Sequence, residues 1–154
     1  MKHLFLDSEP VGLLTYPIIK PDVAAISSWL TRMQSAGHFV YLPEIIDYEL
    51  RRELVRAGKT SSLTKLDALP TRIQYLSLTT DALRLAADLW AWARNSGLST
   101  GDPKKIDTDV ILAAQALTLG AALGVSSADL IVATSNVAHL SRFLAADRWA
   151  NITP

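Results

Sequence analysis

The chain has no cysteine, which excludes disulfides, thiol catalysis and zinc thiolate sites and agrees with a reducing compartment. It has no excess of charge: fifteen Lys and Arg stand against fifteen Asp and Glu, so any nucleic-acid contact must come from a local basic patch, and a histone-like binder is excluded. Charge is sparse, at 19% of residues against 49% hydrophobic, which fits neither a disordered tail nor a charged linker. The only apolar run before Asp7 is Leu4 to Leu6, far short of a secretory leader, so the protein is expected to stay in the cytoplasm. A membrane span is not expected either. Val110 to Ala128 carries no charge, but Gln115, Gly120, Gly124, Ser126 and Ser127 make it a buried helix, a turn and the start of another element. No repeat and no low-complexity segment is present.

The 154 residues suffice for one core, and a single domain spanning 1–154 is expected. Short uninterrupted apolar runs alternate with longer stretches of helical period, which argues for an α/β fold with a mainly parallel sheet flanked by helices. His3–Asp7, Phe39–Leu42 and Leu130–Thr134 read as strands buried on both faces, with Ile73–Leu78 as an edge strand and Trp149–Ile152 as a last one. Helices are expected over Pro21–Ala36, Glu44–Ala57, Ser61–Leu69, from Thr79-Thr80-Asp81 to about Ser96, from about Pro103 to Leu119, and over Val137–Leu144.

In open α/β sheets ligands bind beyond the carboxyl ends of the strands, so the polar residues that follow the apolar runs are the first candidates. Asp7 ends one run and Asn136 follows another; a helix cap or turn is the plainer use of such an Asp. Glu49 is more unusual. At 100° per residue it lies about 60° from Ile46 and about 40° from Ile45, on the apolar face of its helix. Asp109 shares its face with Ile106, Leu112, Ala113 and Ala116, whereas Asp107 points away. A buried, unpaired carboxylate costs several kcal/mol, so each acid needs a partner or a function. Arg52 or Arg56 would serve as a partner for Glu49, and the helix dipole for Asp109. Together the three acids and Asn136 would form an oxygen-rich pocket selecting Mg²⁺ or Mn²⁺ over zinc, suited to phosphodiester hydrolysis.

These residues resemble the PIN-domain ribonucleases, in particular the VapC-type toxins of toxin–antitoxin pairs. The likeness rests on Leu4-Phe5-Leu6-Asp7-Ser8, on Glu49-Leu50 within LPEIIDYELRREL, on Asp109 in DVILAAQAL, and on Thr134-Ser135-Asn136 in ATSNVAHLSRF. Four motifs in family order cover essentially the whole chain. The resemblance implies a PIN-like parallel sheet with a central first strand, and Mg²⁺- or Mn²⁺-dependent cleavage of RNA. It assigns catalytic roles to Asp7, Glu49, Asp109 and Asn136, with the first three as metal ligands. It also implies a homodimer and a cognate antitoxin. Ser8, Thr134, Asp107 and Glu53 are supporting candidates; Glu53 falls inward one turn beyond Glu49, as a further acid or a neutraliser of Arg56. Asn136 stands where some members carry an acid, which leaves a weakly active or inactive nucleic-acid-binding module as the alternative. A haloacid-dehalogenase-type phosphohydrolase would need Asp-x-Asp where this chain has Asp7-Ser8-Glu9.

Arg51, Arg52, Arg56, Lys59 and Lys65 fall within fifteen residues that hold one acid, Glu53, so the three arginines are candidate RNA contacts; a solvated helix face is the plainer use. Trp29, Trp90 and Trp92 are either base-stacking platforms or core and subunit-interface residues. His38 and His139 lack the paired spacing of a metal or nucleophile site and are expected to be structural.

Overall fold

Strand β1, His3–Leu6, has no exposed residue: His3 is buried, and Leu4, Phe5 and Leu6 are wholly out of solvent. Such a strand must be central, and in the computed structural model, which describes residues 1–98 and 107–154, it is. The other strands are β2 (Phe39–Pro43), β3 (Gln74–Leu76), β4 (Leu130–Ala133) and β5 (Ala145–Asp147). They form one all-parallel sheet in the order β3-β2-β1-β4-β5. His3 pairs with Phe39 on one side and Leu130 on the other, and Leu6 pairs with Ala133. Parallel neighbours require crossovers, supplied here by helices on both faces.

The helices are α1 (Ser8–Leu14), α2 (Pro21–Ser35), α3 (Glu44–Arg56), α4 (Thr60–Ala68), α5 (Thr80–Asn95), α6 (Thr108–Leu123) and α7 (Val137–Leu140). The α5 start follows the expected cap, with Thr79 accepting from the Ala82 N–H. Helix α6 begins later than expected, at Thr108, because Asp107 caps it through the Val110 N–H; positions 103–106 of the expected helix lie outside the described residues. It ends at Gly124, whose φ of 65° is the left-handed conformation that glycine adopts without strain.

Two expectations fail in instructive ways, and one helix, α1, lies where the sequence pattern assigned no element. Helix α7 stops at Leu140, four residues early, and the chain turns into β5. Trp149–Ile152 is not the last strand; Trp149–Asn151 is a 3₁₀ turn. Its apolar residues are used on α2 instead: Trp149 meets Trp29 edge-on, and the Trp29 indole N–H donates to Ile152 O over 2.9 Å. Trp29 is thus a core residue. No helix among the described residues is long and apolar enough to cross a membrane.

Gln115 of α6 aligns the helices that flank the site. Helix α3 follows Pro43, which offers no side-chain acceptor, and Gln115 Oε1 accepts from the Ile45 N–H at 3.2 Å while its Nε2 donates to Leu76 O at 2.9 Å. One buried amide therefore ties α6 to the start of α3 and the end of β3.

Candidate functional site

The carboxyl edge of the sheet is continued one residue past β1 and β4. The Asp7 N–H donates to Ala133 O and the Thr134 N–H to Asp147 O, which holds Asp7 and Thr134 side by side as the strands end. Asp7 is 7% exposed and Thr134 is fully buried. Asp7 is both the expected cap and the expected site acid: its Oδ1 accepts from the Ser8 N–H at 2.7 Å, starting α1, and its Oδ2 accepts from the Thr134 hydroxyl at 2.6 Å. Thr134 Oγ1 in turn accepts from the Asn136 N–H at 2.9 Å, and Asn136 Nδ2 donates to Asp109 Oδ2 at 2.7 Å. A continuous hydrogen-bonded chain, Asp7 to Thr134 to Asn136 to Asp109, therefore joins the chain's beginning to the first turn of α6.

The electrostatics mark this as a strained cluster of like charges. Burial pushes the Asp109 carboxyl up to about 6, and the negative charges of Asp7 and Asp107 push in the same direction; His139 and the Asn136 amide oppose them. Asp107 is also raised by burial, against the pull of the Val110 N–H and of His139. His139 Nδ1 lies 3.4 Å from Asp109 Oδ2, so this histidine belongs to the site and is not merely structural. The signal for it was positional: His139 is one helical turn after Asn136, on a segment that already faces the acids.

The other expected residues divide. Glu49 is half-buried on α3 and has no hydrogen bond or ion pair with any described residue. Among the described residues no three His, Cys, Asp or Glu side chains stand close enough together to hold one metal ion, so the structure gathers Asp7 and Asp109 but does not add Glu49 to them. Glu53 is exposed and does not face inward; it pairs with Arg56 at 3.0 Å, the neutralising role. Arg51 is bound to Asp47 at 2.9 Å and, at the surface, to Asp67 at 2.7 Å, so its charge is paired within the chain. Arg52 lies 5.5 Å from the Tyr48 ring centroid and does not bridge to Glu49. Of the five basic residues of this segment, Arg51 and Arg56 are thus paired with acids, while Arg52, Lys59 and Lys65 form no ion pair among the described residues.

Comparison with solved structures places this architecture. The chain superposes on a chain of VapBC2 from Rickettsia felis, bound to a promoter DNA fragment, with a TM-score of 0.70 over 96% of this chain and 98% of that one, at 15% identity. The fold is a PIN fold. VapBC-1 from nontypeable Haemophilus influenzae gives 0.66 at 15% identity over 98% and 100% of the two chains. FitAcB from Neisseria gonorrhoeae gives 0.64 at 18% over 97% and 99%. No protein-family model and no curated protein sequence matches the chain. At these identities the likeness establishes the fold alone.

Proposed function

We propose that the protein is a Mg²⁺- or Mn²⁺-dependent endoribonuclease acting as the toxin of a toxin–antitoxin pair. The observation that carries this is the hydrogen-bonded link between Asp7 and Asp109 at the sheet's carboxyl edge, in a PIN fold otherwise seen in VapBC complexes. The donors are hard oxygens, and the raised carboxyl of Asp109 measures how poorly the cluster tolerates its own charge, which a divalent cation would relieve. The fit is in charge and donor type. Asp7 and Asp109 are the first two ligands of this proposal; Glu49, which forms no hydrogen bond or ion pair among the described residues, is the third that the resemblance names, although the structure does not gather it with the other two.

When bound, the cation would lower the pKa of a coordinated water and stabilise charge on the phosphate oxygen. The chain's own residues supply orientation. Thr134 fixes Asp7, Asn136 fixes Asp109, and His139 holds its imidazole against Asp109. A cognate antitoxin and a homodimer belong to the same proposal; the VapBC complexes among the structural relatives support the first.

The test is cleavage of a mixed single-stranded RNA pool with added Mg²⁺ or Mn²⁺, and its arrest by a chelator. Asp7→Asn, Glu49→Gln and Asp109→Asn should each abolish cleavage while the chain stays folded. Metal-dependent RNA binding without cleavage, across both metals, would overturn the enzyme reading in favour of a binding module. Harmless expression of the isolated chain in a bacterial host would overturn the toxin role.

A further inference from the structure

Helices α5 and α6 pack through small residues, and between them a slot is left open. Leu83, Ala86, Ala87 and Trp90 of α5 recur at the i, i+3, i+4, i+7 spacing of one helix face, opposite Asp107, the cap of α6, and Val110 within it. The two alanines make the room: Ala86 and Val110 are buried and form the floor, while half-buried Trp90 and exposed Leu83 stand at the sides. The opening is about 220 Å³, below the size of pockets that hold drug-sized molecules and suited to a single ring system.

We infer that this slot takes one base of a single-stranded RNA, stacked on Trp90, next to the phosphodiester held at the acid pair. Three observations favour a nucleotide over other ligands. The slot offers an aromatic wall and an apolar floor, the surface on which bases of any identity stack. Arg94 lies 5.0 Å from the Trp90 ring centroid, so the ring is held in place by a guanidinium that also supplies positive charge for a phosphate. Asp107, at the slot, caps the helix that carries Asp109 in its first turn, so base slot and acid pair lie at the same end of α6. Trp92 is a weaker platform, since it is engaged edge-on with Phe143 at 6.0 Å.

This inference rests on the ribonuclease reading, and the experiment separates the two. Binding of a fluorescein-labelled mixed-sequence RNA octamer and of the same backbone without bases is measured in chelator, for the full chain and for Trp90→Leu and Ala87→Leu, the second of which fills the slot from an exposed helix position. The full chain should bind the base-bearing octamer about tenfold or more tightly than the abasic one. Both variants should lose most of that ratio while keeping the abasic affinity. Variants that keep the ratio overturn the slot, and so does a change of oligomeric state in both variants with the ratio intact, which would mean that a second copy covers this face. Cleavage of the RNA pool by all three proteins with the ratio intact overturns the slot alone; a base-dependent ratio without cleavage under any metal overturns the ribonuclease reading alone; neither binding nor cleavage overturns both.

Discussion

Asn136 donates its side-chain amide to Asp109 Oδ2 over 2.7 Å. An aspartate at this position would add a further negative charge to a cluster in which Asp7 and Asp107 already raise Asp109, whereas the amide supplies a donor. The asparagine therefore stabilises the ionised form of its neighbour and fixes its direction.

Asp109→Asn is expected to stabilise the metal-free protein, with a characteristic pH dependence. The folded carboxyl titrates at about 6 and the unfolded one near 3.8, so the folded state binds the extra proton in between. Wild-type stability is therefore lost as pH rises from about 4 to 6, and the variant is spared that loss. The gain in unfolding free energy should grow across this window and level off above pH 6. It should reach about 1–2 kcal/mol, below the roughly 3 kcal/mol that two pKa units would give, because the side chain keeps some solvent contact. Urea titrations in chelator at a series of pH values check this; a gain already full at pH 4 would contradict it.

Thr134→Val keeps the buried shape but removes the hydroxyl that donates to Asp7 and accepts from Asn136. A buried carboxylate oxygen and a backbone N–H lose their partner together, for a cost of about 1–3 kcal/mol. Thr134→Ser should restore most of the stability and, on the ribonuclease reading, the cleavage rate. Thermal unfolding of the two variants side by side is the measurement.

His3 is buried against Phe39 and Tyr41, with Nδ1 2.9 Å from the Tyr41 hydroxyl. Burial holds its pKa below the ordinary 6.5, and His38 is lowered for the same reason. The unfolded chain therefore takes up these protons first, and stability falls as pH drops below about 6.5. His3→Gln should flatten this acid-side loss relative to wild type, leaving the share due to His38. An unchanged slope in denaturant titrations between pH 7 and 5 would rule His3 out as its source.

Gly120→Ala tests how tightly α6 lies on the sheet. A Cβ at 120 would come within 2.5 Å of Leu130 Cδ1, on a buried residue of β4. Overpacking of about 1–3 kcal/mol opposes the roughly 1 kcal/mol that alanine gains over glycine within a helix. A small net loss of unfolding free energy is expected by chemical denaturation, and Leu130→Val in the same chain should recover part of it.

The central strands were legible because strands buried on both faces show as unbroken apolar runs, and β1, β2 and β4 were all placed to within a residue of their ends. Edge strand β5 was not, since Ala145–Asp147 is short and half-exposed while the more apolar Trp149–Ile152 beside it drew the assignment. Asp7 and Asp109 were legible as acids at a strand end and on an apolar helix face. Periodicity could not tell that Glu53 would turn outward to Arg56, because the angle of a residue on its helix does not say where the neighbouring layer stops. Nor could it show that Arg51 would be taken by Asp67, an ion pair with a residue of another helix.

The hydrogen bond from Thr134 to Asp7 spans 127 positions of the chain. On a ribosome adding residues from the N-terminus, Asp7 emerges early and waits for β4, which pairs with β1 only after most of the protein has been made. A truncated product ending between residues 110 and 129 would carry Asp7 and Asp109 and yet lack the Thr134 and Asn136 that join them. Incomplete synthesis thus yields a chain with its acids unassembled, so a destructive activity housed there would be switched on only by the last steps of translation.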